Sequence, residues 1–572
     1  MKGLMAILFL ATLSASAQRD ALDVASPHPP ALPPAVPLQL LPRIGITDEV
    51  ELSLDDVIRA ALANNRDIEV SRLSRVKAKL GLMSAKGYFD PVFGGNAYVA
   101  KTVSPVASSL GGAINGAVTE KDVYADPQIS GNSPWLGGTY KLDYASSRVD
   151  SNSTFNTLNP TYPTAATLNL TQPLWGGLLD DANRERVSVS RKNLQQTEEQ
   201  FRQRVIDSTT QAIRAYWELD YARRNLEIQV EAVRLAEQQD ASNRRQVEQG
   251  TQAPIDVIQT QTQLSTYKQN VLAAQQQLTQ AEDTLKALIL PDRMNPLWSA
   301  ALKTSLPTEA SVPMPSLQDA LHDALMHRPD LKAGRIGVEV SALDARLAHE
   351  QAKPQINLTA EVETQGLAGR NVPQTTSIFG SVFTDLFTQV NELSTIAGLP
   401  PLSTAGLGST GSTPDFFVGG YGQSFSNLRD VRFPTIKVGI QVSLPIRNRT
   451  ALAQAGIATA NVRQSRTTQQ QLEMTAESEV RNTLQQWTNS ELILTESQRA
   501  AALAEQQYES EQRQFRAGTS SVFLVLQRQT ELINAKLREV RATADLGESE
   551  AEFDRATATT LERQHIEIEK AP

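Results

Sequence analysis

The sequence predicts an α+β chain made of two copies of one unit, each a short helix, an extended region and a long helical hairpin. Three observations carry this. Within residues 180–290 the only glycine is Gly250 and the only proline is Pro254, so the stretch forms two helices folded back at one turn. The plan recurs downstream, where residues 450–517 form a second long helix with a single early glycine, Gly456, ending in Arg516-Ala-Gly518-Thr519. Between the helical stretches lie segments that alternate apolar and polar residues with period two, the pattern of half-buried strands.

The chain begins with Met1-Lys2, an apolar run over residues 4–13, and Ala15-Ser-Ala17 before Gln18. This is the pattern of a secretory signal peptide, residues 1–17, too short to span a bilayer. No cysteine occurs, which excludes disulfides, thiol chemistry and a lipid on a mature N-terminal cysteine. Residues 18–52 form a proline-rich arm. No later apolar run reaches the length of a membrane helix, so only a β-barrel would let this chain span a membrane.

The first repeat, residues 53–290, opens with a helical stretch from Ser53 to about Lys86, weakened at Asn64-Asn65. Its partner in the second repeat, residues 316–563, breaks at the same place, at Arg328-Pro329. Ser53-Leu54, Asp56, Ala61-Leu62 and Asp67 align without a gap on Ser316-Leu317, Asp319, Ala324-Leu325 and Asp330. The period is roughly 265 residues, far beyond that of solenoid repeats. Residues 291–315 link the two repeats, and residues 564–572 form a tail.

Ile436, Val438, Ile440, Val442 and Leu444 alternate with Lys437, Gly439, Gln441 and Ser443. Ile356, Leu358, Ala360 and Val362 do the same, as do Leu168 and Leu170, while residues 92–101 and 138–148 are weaker candidates. Two strands per half give four per chain. A membrane barrel and a soluble antiparallel sheet both fit such strands. Two Gly/Ser/Thr/Asn-rich stretches, residues 102–163 and 364–433, are expected to be long loops. Pro173 and Pro445, each at a strand end and lacking a backbone N–H, fit a switch from strand directly to helix. Four strands cannot close a barrel, and unpaired edges cannot sit in lipid, so membrane-spanning copies would have to pool their strands.

In the first arm Ala212, Leu219, Leu226 and Val233 repeat every seven residues, interleaved with Ser208, Ala215 and Ala222, as coiled-coil packing requires. The hairpin tips fall at residues 250–254 and 518–522. Each is followed by a matching run, Ile255-Asp-Val-Ile-Gln-Thr-Gln261 and Phe523-Leu-Val-Leu-Gln-Arg-Gln529.

Nothing in the sequence points to an enzyme or to a cofactor. His28, His322, His327, His349 and His565 lack metal-ligand spacing, and no phosphate-binding glycine loop occurs. A net charge of −9 without a dense basic run excludes nucleic acid as a partner. Tyr216-Trp217 is a candidate ligand step, with packing the favoured alternative.

With duplication, strand–proline–helix order and paired tips in place, the chain resembles the TolC family of outer-membrane efflux proteins from residue 50 to about 563. Its best motifs are Leu168-Asn-Leu-Thr-Gln-Pro-Leu174, Leu444-Pro-Ile-Arg-Asn-Arg-Thr-Ala451 and the two Gly-Thr tips. The resemblance implies a homotrimer with a twelve-stranded barrel in outer-membrane lipid, four strands per chain, continuous with a long periplasmic α-helical barrel. It implies an equatorial collar built from residues 291–315 and the short helices. It further implies passive export or type I secretion, with the tips docked on a periplasmic adaptor that joins an inner-membrane pump. The alternative, a periplasmic adaptor, carries one hairpin and usually a membrane anchor.

The resemblance also marks the site residues. Gly250, Thr251, Gln252, Gly518, Thr519 and Ser520 are the candidate adaptor-docking tips. Familiar members carry acidic rings six and nine residues after the second tip glycine; here those positions are Leu524 and Gln527. Their arginine two residues after that glycine is Ser520, so the matching Asp256 has lost its partner. The expected gate is therefore apolar, with Phe523 and Leu524 holding it and Gln527 and Asp256 beside them.

Overall fold

The computed structural model describes residues 43–107, 112–113, 115–305, 313–372, 378–402 and 413–568. The expected signal peptide, most of the proline-rich arm, part of the linker and the last four residues lie outside them.

In chain order the elements are β1 (Asp48–Leu52), α1 (Leu54–Asn64), α2 (Arg66–Lys86), β2 (Val92–Pro105), β3 (Ala117–Asn132), β4 (Thr139–Ser151) and β5 (Leu158–Trp175). The first hairpin follows as α3 (Ala182–Glu248) and α4 (Pro254–Ile289), then β6 (Ala300–Thr304). The second half comprises α5 (Leu317–His327), α6 (Pro329–Gln351), β7 (Gln355–Asn371), α7 (Ile378–Ile396), α8 (Tyr421–Arg429) and β8 (Phe433–Ser443). It closes with α9 (Arg449–Arg516), α10 (Val522–Thr557) and α11 (Thr560–Arg563).

The duplication is exact enough to set helix lengths. The outgoing arms α3 and α9 have 67 and 68 residues, and both returning arms, α4 and α10, have 36. Each outgoing arm is roughly 100 Å long at 1.5 Å per residue. Both repeats also start alike: Ser53 Oγ accepts from Asp56 N at 3.2 Å, and Ser316 Oγ from Asp319 N at 3.2 Å, capping α1 and α5. The expected breaks occur at Asn65 and Arg328. Nearer the strands, α2 packs on α3 and α6 on α9; toward the tips, α4 and α10 take those places. Four helices are thus side by side along most of the body.

The heptad residues form the seam. Ala212, Leu219 and Ala222 are buried with Tyr216 and Leu285, and Val233 with Val271 and Ile533. Tyr216 is a packing residue: it is buried, and its hydroxyl donates to Ser305 O. Trp217 lies against Gly547 so closely that no larger residue fits at 547. β1 pairs in parallel with β6, joining the arm to the linker at the equator. The arm boundary at residue 52 therefore falls at the end of a strand that the sequence reading missed.

The sheet corrects the expected count of four strands. Six strands form one antiparallel sheet in the order β2-β3-β4-β5-β7-β8. The stretch 102–163, expected as a loop, holds the end of β2, all of β3 and β4 and the start of β5; the weak candidate 138–148 falls in β4 from Thr139 on. The physical reason is composition: β3 and β4 use Ala125, Pro127, Gly131 and Ser146 where β8 uses branched residues, which hides the alternation. The second stretch, 364–433, holds α7 and α8 in addition to the end of β7. Residues directly opposite one another share a face, so the pairing aligns Phe93, Ile129, Leu142, Leu168, Val362 and Ile436 in one apolar row. The adjoining row on the opposite face is Gly94, Gln128, Asp143, Thr167, Glu363 and Thr435. Among the described residues no helix is long and apolar enough to cross a membrane.

Candidate functional site

The residues that the sequence marks lie at two ends of the molecule, the sheet and the helical tips. In the sheet, β8 leaves Ile436, Val438, Ile440 and Val442 exposed on one face. The other face of the sheet carries Glu120, Asp122, Asp126, Asp143, Glu361 and Glu363 against Lys141 and Lys437. Lys437 Nζ donates to Glu361 Oε1 at 2.7 Å. Toward the helices one face is suited to lipid and the other to water, while at the far ends of β2, β3 and β4 the apolar face gives way to Lys101, Lys121, Arg148 and Asp150.

The switch from strand to helix is less direct than expected. Pro173 pairs opposite Asn357 inside β5, beside a bulge, and the strand continues to Trp175. Gly176 and Gly177, at φ 73° and 103°, then turn the chain before α3 starts at Ala182. Asp181 caps that helix, accepting from Asn183 N at 2.8 Å. Pro445 lies two residues past β8, and Asn448 at φ 34° precedes α9. Asn448 Nδ2 donates to Ala352 O at 2.7 Å, tying this switch to the end of α6. At the start of α3, burial pushes the Glu185 carboxyl up to about 7, with repulsion from Asp344, Asp180 and Asp181 adding to it.

At the other end the two tips are near copies. Gly250 and Gly518 take φ 73° and 78°, the left-handed conformation that glycine adopts without penalty. Gly250 N donates to Val247 O at 2.9 Å and Gly518 N to Phe515 O at 3.0 Å. Thr251 N and Thr519 N donate to Gln246 O at 2.9 Å and Gln514 O at 3.0 Å. The chain is thus turned back by the same pair of bonds twice. The helix starts differ: α4 begins with Pro254 and no side-chain cap, whereas Ser521 Oγ caps α10. Ser520 Oγ donates to Glu511 Oε1, and Gln252 is half-buried.

The expected gate residues divide by burial. Val525 is 0% exposed and packs inside the hairpin with Tyr508 and Leu532, whereas Phe523 is 63% and Leu524 38% exposed. Phe523 is therefore largely outside the hairpin's own packing, and Leu524 is only partly covered by it. Their counterpart in the first hairpin, Ile255, is 55% exposed, an apolar partner that the sequence reading passed over. The signal was available: Ile255 occupies the position of Phe523 in the aligned runs after the tips. Asp256 makes no ion pair among the described residues, and Gln527 Nε2 donates to Glu531 Oε1 at 3.1 Å.

At the equator an ionic network joins the two repeats. The buried Arg328 donates to Glu479 Oε2 at 2.6 Å, Asp330 Oδ2 at 2.8 Å and Ala556 O at 3.0 Å. Arg555 also pairs with Glu479, and both Arg555 and Arg214 reach Glu552 at 2.8 Å. Burial alone would raise the Glu479 carboxyl, but Arg328 and Arg555 hold it below the usual carboxylate range.

Among the described residues no group of side chains could hold a metal ion. A family profile described as outer membrane efflux protein matches residues 127–289 and 403–559. No curated protein matches the chain in sequence. Several solved structures match in fold. The CmeC outer membrane channel of Campylobacter jejuni has a TM-score of 0.59 at 15% identity, over 89% of this chain and 89% of that one. The outer membrane protein VceC of Vibrio cholerae gives 0.56 at 15% identity, over 88% and 95%. The MtrE outer membrane channel of Neisseria gonorrhoeae, in its open state, gives 0.54 at 13% identity, over 88% of both chains. At these identities the likeness is one of fold.

Proposed function

The chain belongs to the outer membrane efflux protein family, and from that premise we propose that three copies close into one continuous duct, docked at its tips on a periplasmic adaptor. The protein itself is an outer-membrane exit channel with a periplasmic helical extension, and it is not an enzyme. The observation that supports closure by copies is the sheet: an apolar row crosses one face of all six strands, yet the two outer strands, β2 and β8, have unpaired edges. Each unpaired backbone group in lipid costs several kcal/mol, so a single copy cannot remain in the membrane. Three copies would bring twelve helices side by side into the tunnel below.

In this reading Gly250, Thr251, Gln252, Gly518, Thr519 and Ser520 meet the adaptor, and an inner-membrane pump supplies the energy. Passage through the duct is passive. Phe523 and Leu524, with Ile255 beside them, close the resting tunnel by apolar contact around the threefold axis, because water is excluded from a narrow apolar constriction. Asp256 and Gln527 flank that contact without forming an acidic ring. The alternative of a periplasmic adaptor accounts for one hairpin, and this chain has two.

Fractionation tests the reading. The protein should sediment with the outer membrane and run as a heat-sensitive trimer on a gel, and crosslinkers at Gln252 and Ser520 should capture an adaptor. A soluble monomer would end it.

A further inference from the structure

We propose that each copy contributes six strands, so that the membrane wall of the trimer closes with eighteen strands through antiparallel pairing of β8 in one copy with β2 in the next. The proposal rests on the trimeric reading above and deepens it.

Three observations place β3 and β4 in the wall and not outside it. First, the apolar row from Phe93 to Ile436 crosses all six strands without a gap, and a second one joins Gly131, Tyr140, Leu170, Ala360 and Val438. A hairpin outside the membrane has no reason to keep its apolar residues on the lipid side. Second, the turn between β3 and β4 is short and is anchored at the strand–helix junctions. Asn132 Nδ2 donates to Tyr88 O at 3.2 Å, and Gln172 Nε2 donates to Leu136 O at 2.7 Å. Short turns on the helical side are the rule for outer-membrane barrels.

Third, the sheet shows the slant of a barrel wall. Counted from the shared row, the strand ends nearest the helices shift steadily: Val92 one residue away, Asn132 and Thr139 three, Gln355 and Ser443 seven. The apolar residues drift the same way. In β8 they run from the row toward the helices, Ile436 to Val442, and in β2 away from them, Phe93 to Val103 with Lys101 as the one charged residue on that face. The two band centres are about eight residues apart over five strand steps, which at roughly 3.3 Å per residue and 4.8 Å per step is a tilt of about 45°. One slab therefore cuts all six strands at the tilt a barrel requires.

The free edges fit each other. β2 runs away from the helices and β8 returns toward them, so β8 of one copy meets β2 of the next antiparallel, as everywhere else in the sheet. Both strands are exposed along nearly their whole length. Eighteen strands at that tilt have a circumference of roughly 120 Å, and twelve helices about 10 Å apart need roughly the same. Twelve strands at the same tilt would give only about 80 Å.

Cryo-electron microscopy of trimers in lipid nanodiscs, with mass measured independently, tests this. Three copies with eighteen strands in the membrane section is the expected result. Three copies with twelve strands would overturn the proposal and leave the trimer intact, whereas another copy number would overturn the trimeric reading and the eighteen-strand wall with it. Substitutions in β3 give a second test. Ile129→Arg, on the lipid side, should lower the yield of heat-sensitive trimer about ten-fold, with Gln128→Arg within about two-fold of the parent. Equal yields would place β3 outside the membrane and contradict the proposal.

Discussion

The two halves of the chain agree in their helices and differ in their strands. α3 and α9 differ by one residue in length, α4 and α10 not at all, and the tips turn on the same bonds. Yet the first half places four strands in the sheet where the second places two. The difference follows from packing. Side-by-side helices share one seam along their length, so an insertion in one arm shifts every contact beyond it. A sheet gains a hairpin at little cost, because an added up-and-down pair preserves both antiparallel order and the alternation of faces.

The largest expected effect separates the faces of the wall. Ile440→Arg should cost about 2–4 kcal/mol in each copy near the midplane and abolish the trimer, while Gln441→Arg should be tolerated. Equal trimer yields would remove β8 from the membrane.

A smaller effect separates the two halves at one position. Asn65 and Arg328 both mark the break between a short and a longer helix, by different means. Asn65 caps α2, accepting from Asp67 N at 2.9 Å, whereas Arg328 is buried among Asp330, Glu479 and Ala556 O. Asn65→Ala should cost about 1 kcal/mol, a lost cap. Arg328→Ala should cost about 3 kcal/mol, because Glu479 is left partly buried with Arg555 alone. Melting of the two variants measures the gap; similar losses would show that the network does not hold the equator.

The helical half of this architecture was legible in the sequence because its punctuation is sparse. Gly250, Pro254 and Gly518 fix the tips, and the alignment of Asn65 with Arg328 fixes the breaks. Half of the wall was not. β8 announces itself with Ile436, Val438 and Ile440, but β3 puts Ala125, Pro127 and Gly131 on its apolar face, and these residues also mark loops. β1 and β6 have five residues each, too few for a periodic signal. At the tip, Phe523 and Leu524 were legible by position, and Ile255 was marked as the counterpart of Phe523 by the aligned runs, but only its exposure shows that it is left out of the hairpin's packing.

Two further effects fall below that of Arg328→Ala. Gly250→Val and Gly518→Val should each cost about 1–2 kcal/mol, because a branched residue resists positive φ; equal losses would confirm that the tips are equivalent turns. Circular-dichroism melting of the trimers checks this. Glu185 has no such twin. Its folded-state pKa of about 7 is above the ordinary 4.5, so its stabilising share is present below about 4.5 and lost as pH rises through 7. Being half-exposed, it should contribute less than about 1 kcal/mol, and Glu185→Gln should flatten the melting temperature between pH 5 and 8 by that amount.

The closed tip is where the two hairpins, alike in backbone, are expected to act together through different side chains, Ile255 and Asp256 in one, Phe523 and Leu524 in the other. Single-channel recording in planar bilayers tests the apolar closure most directly. The parent trimer should show low resting conductance and only weak block by divalent cations from the periplasmic side, and Leu524→Ser should raise that conductance. Strong divalent block of the parent would show closure by charge, and a silent Leu524→Ser would show that the duct is closed elsewhere.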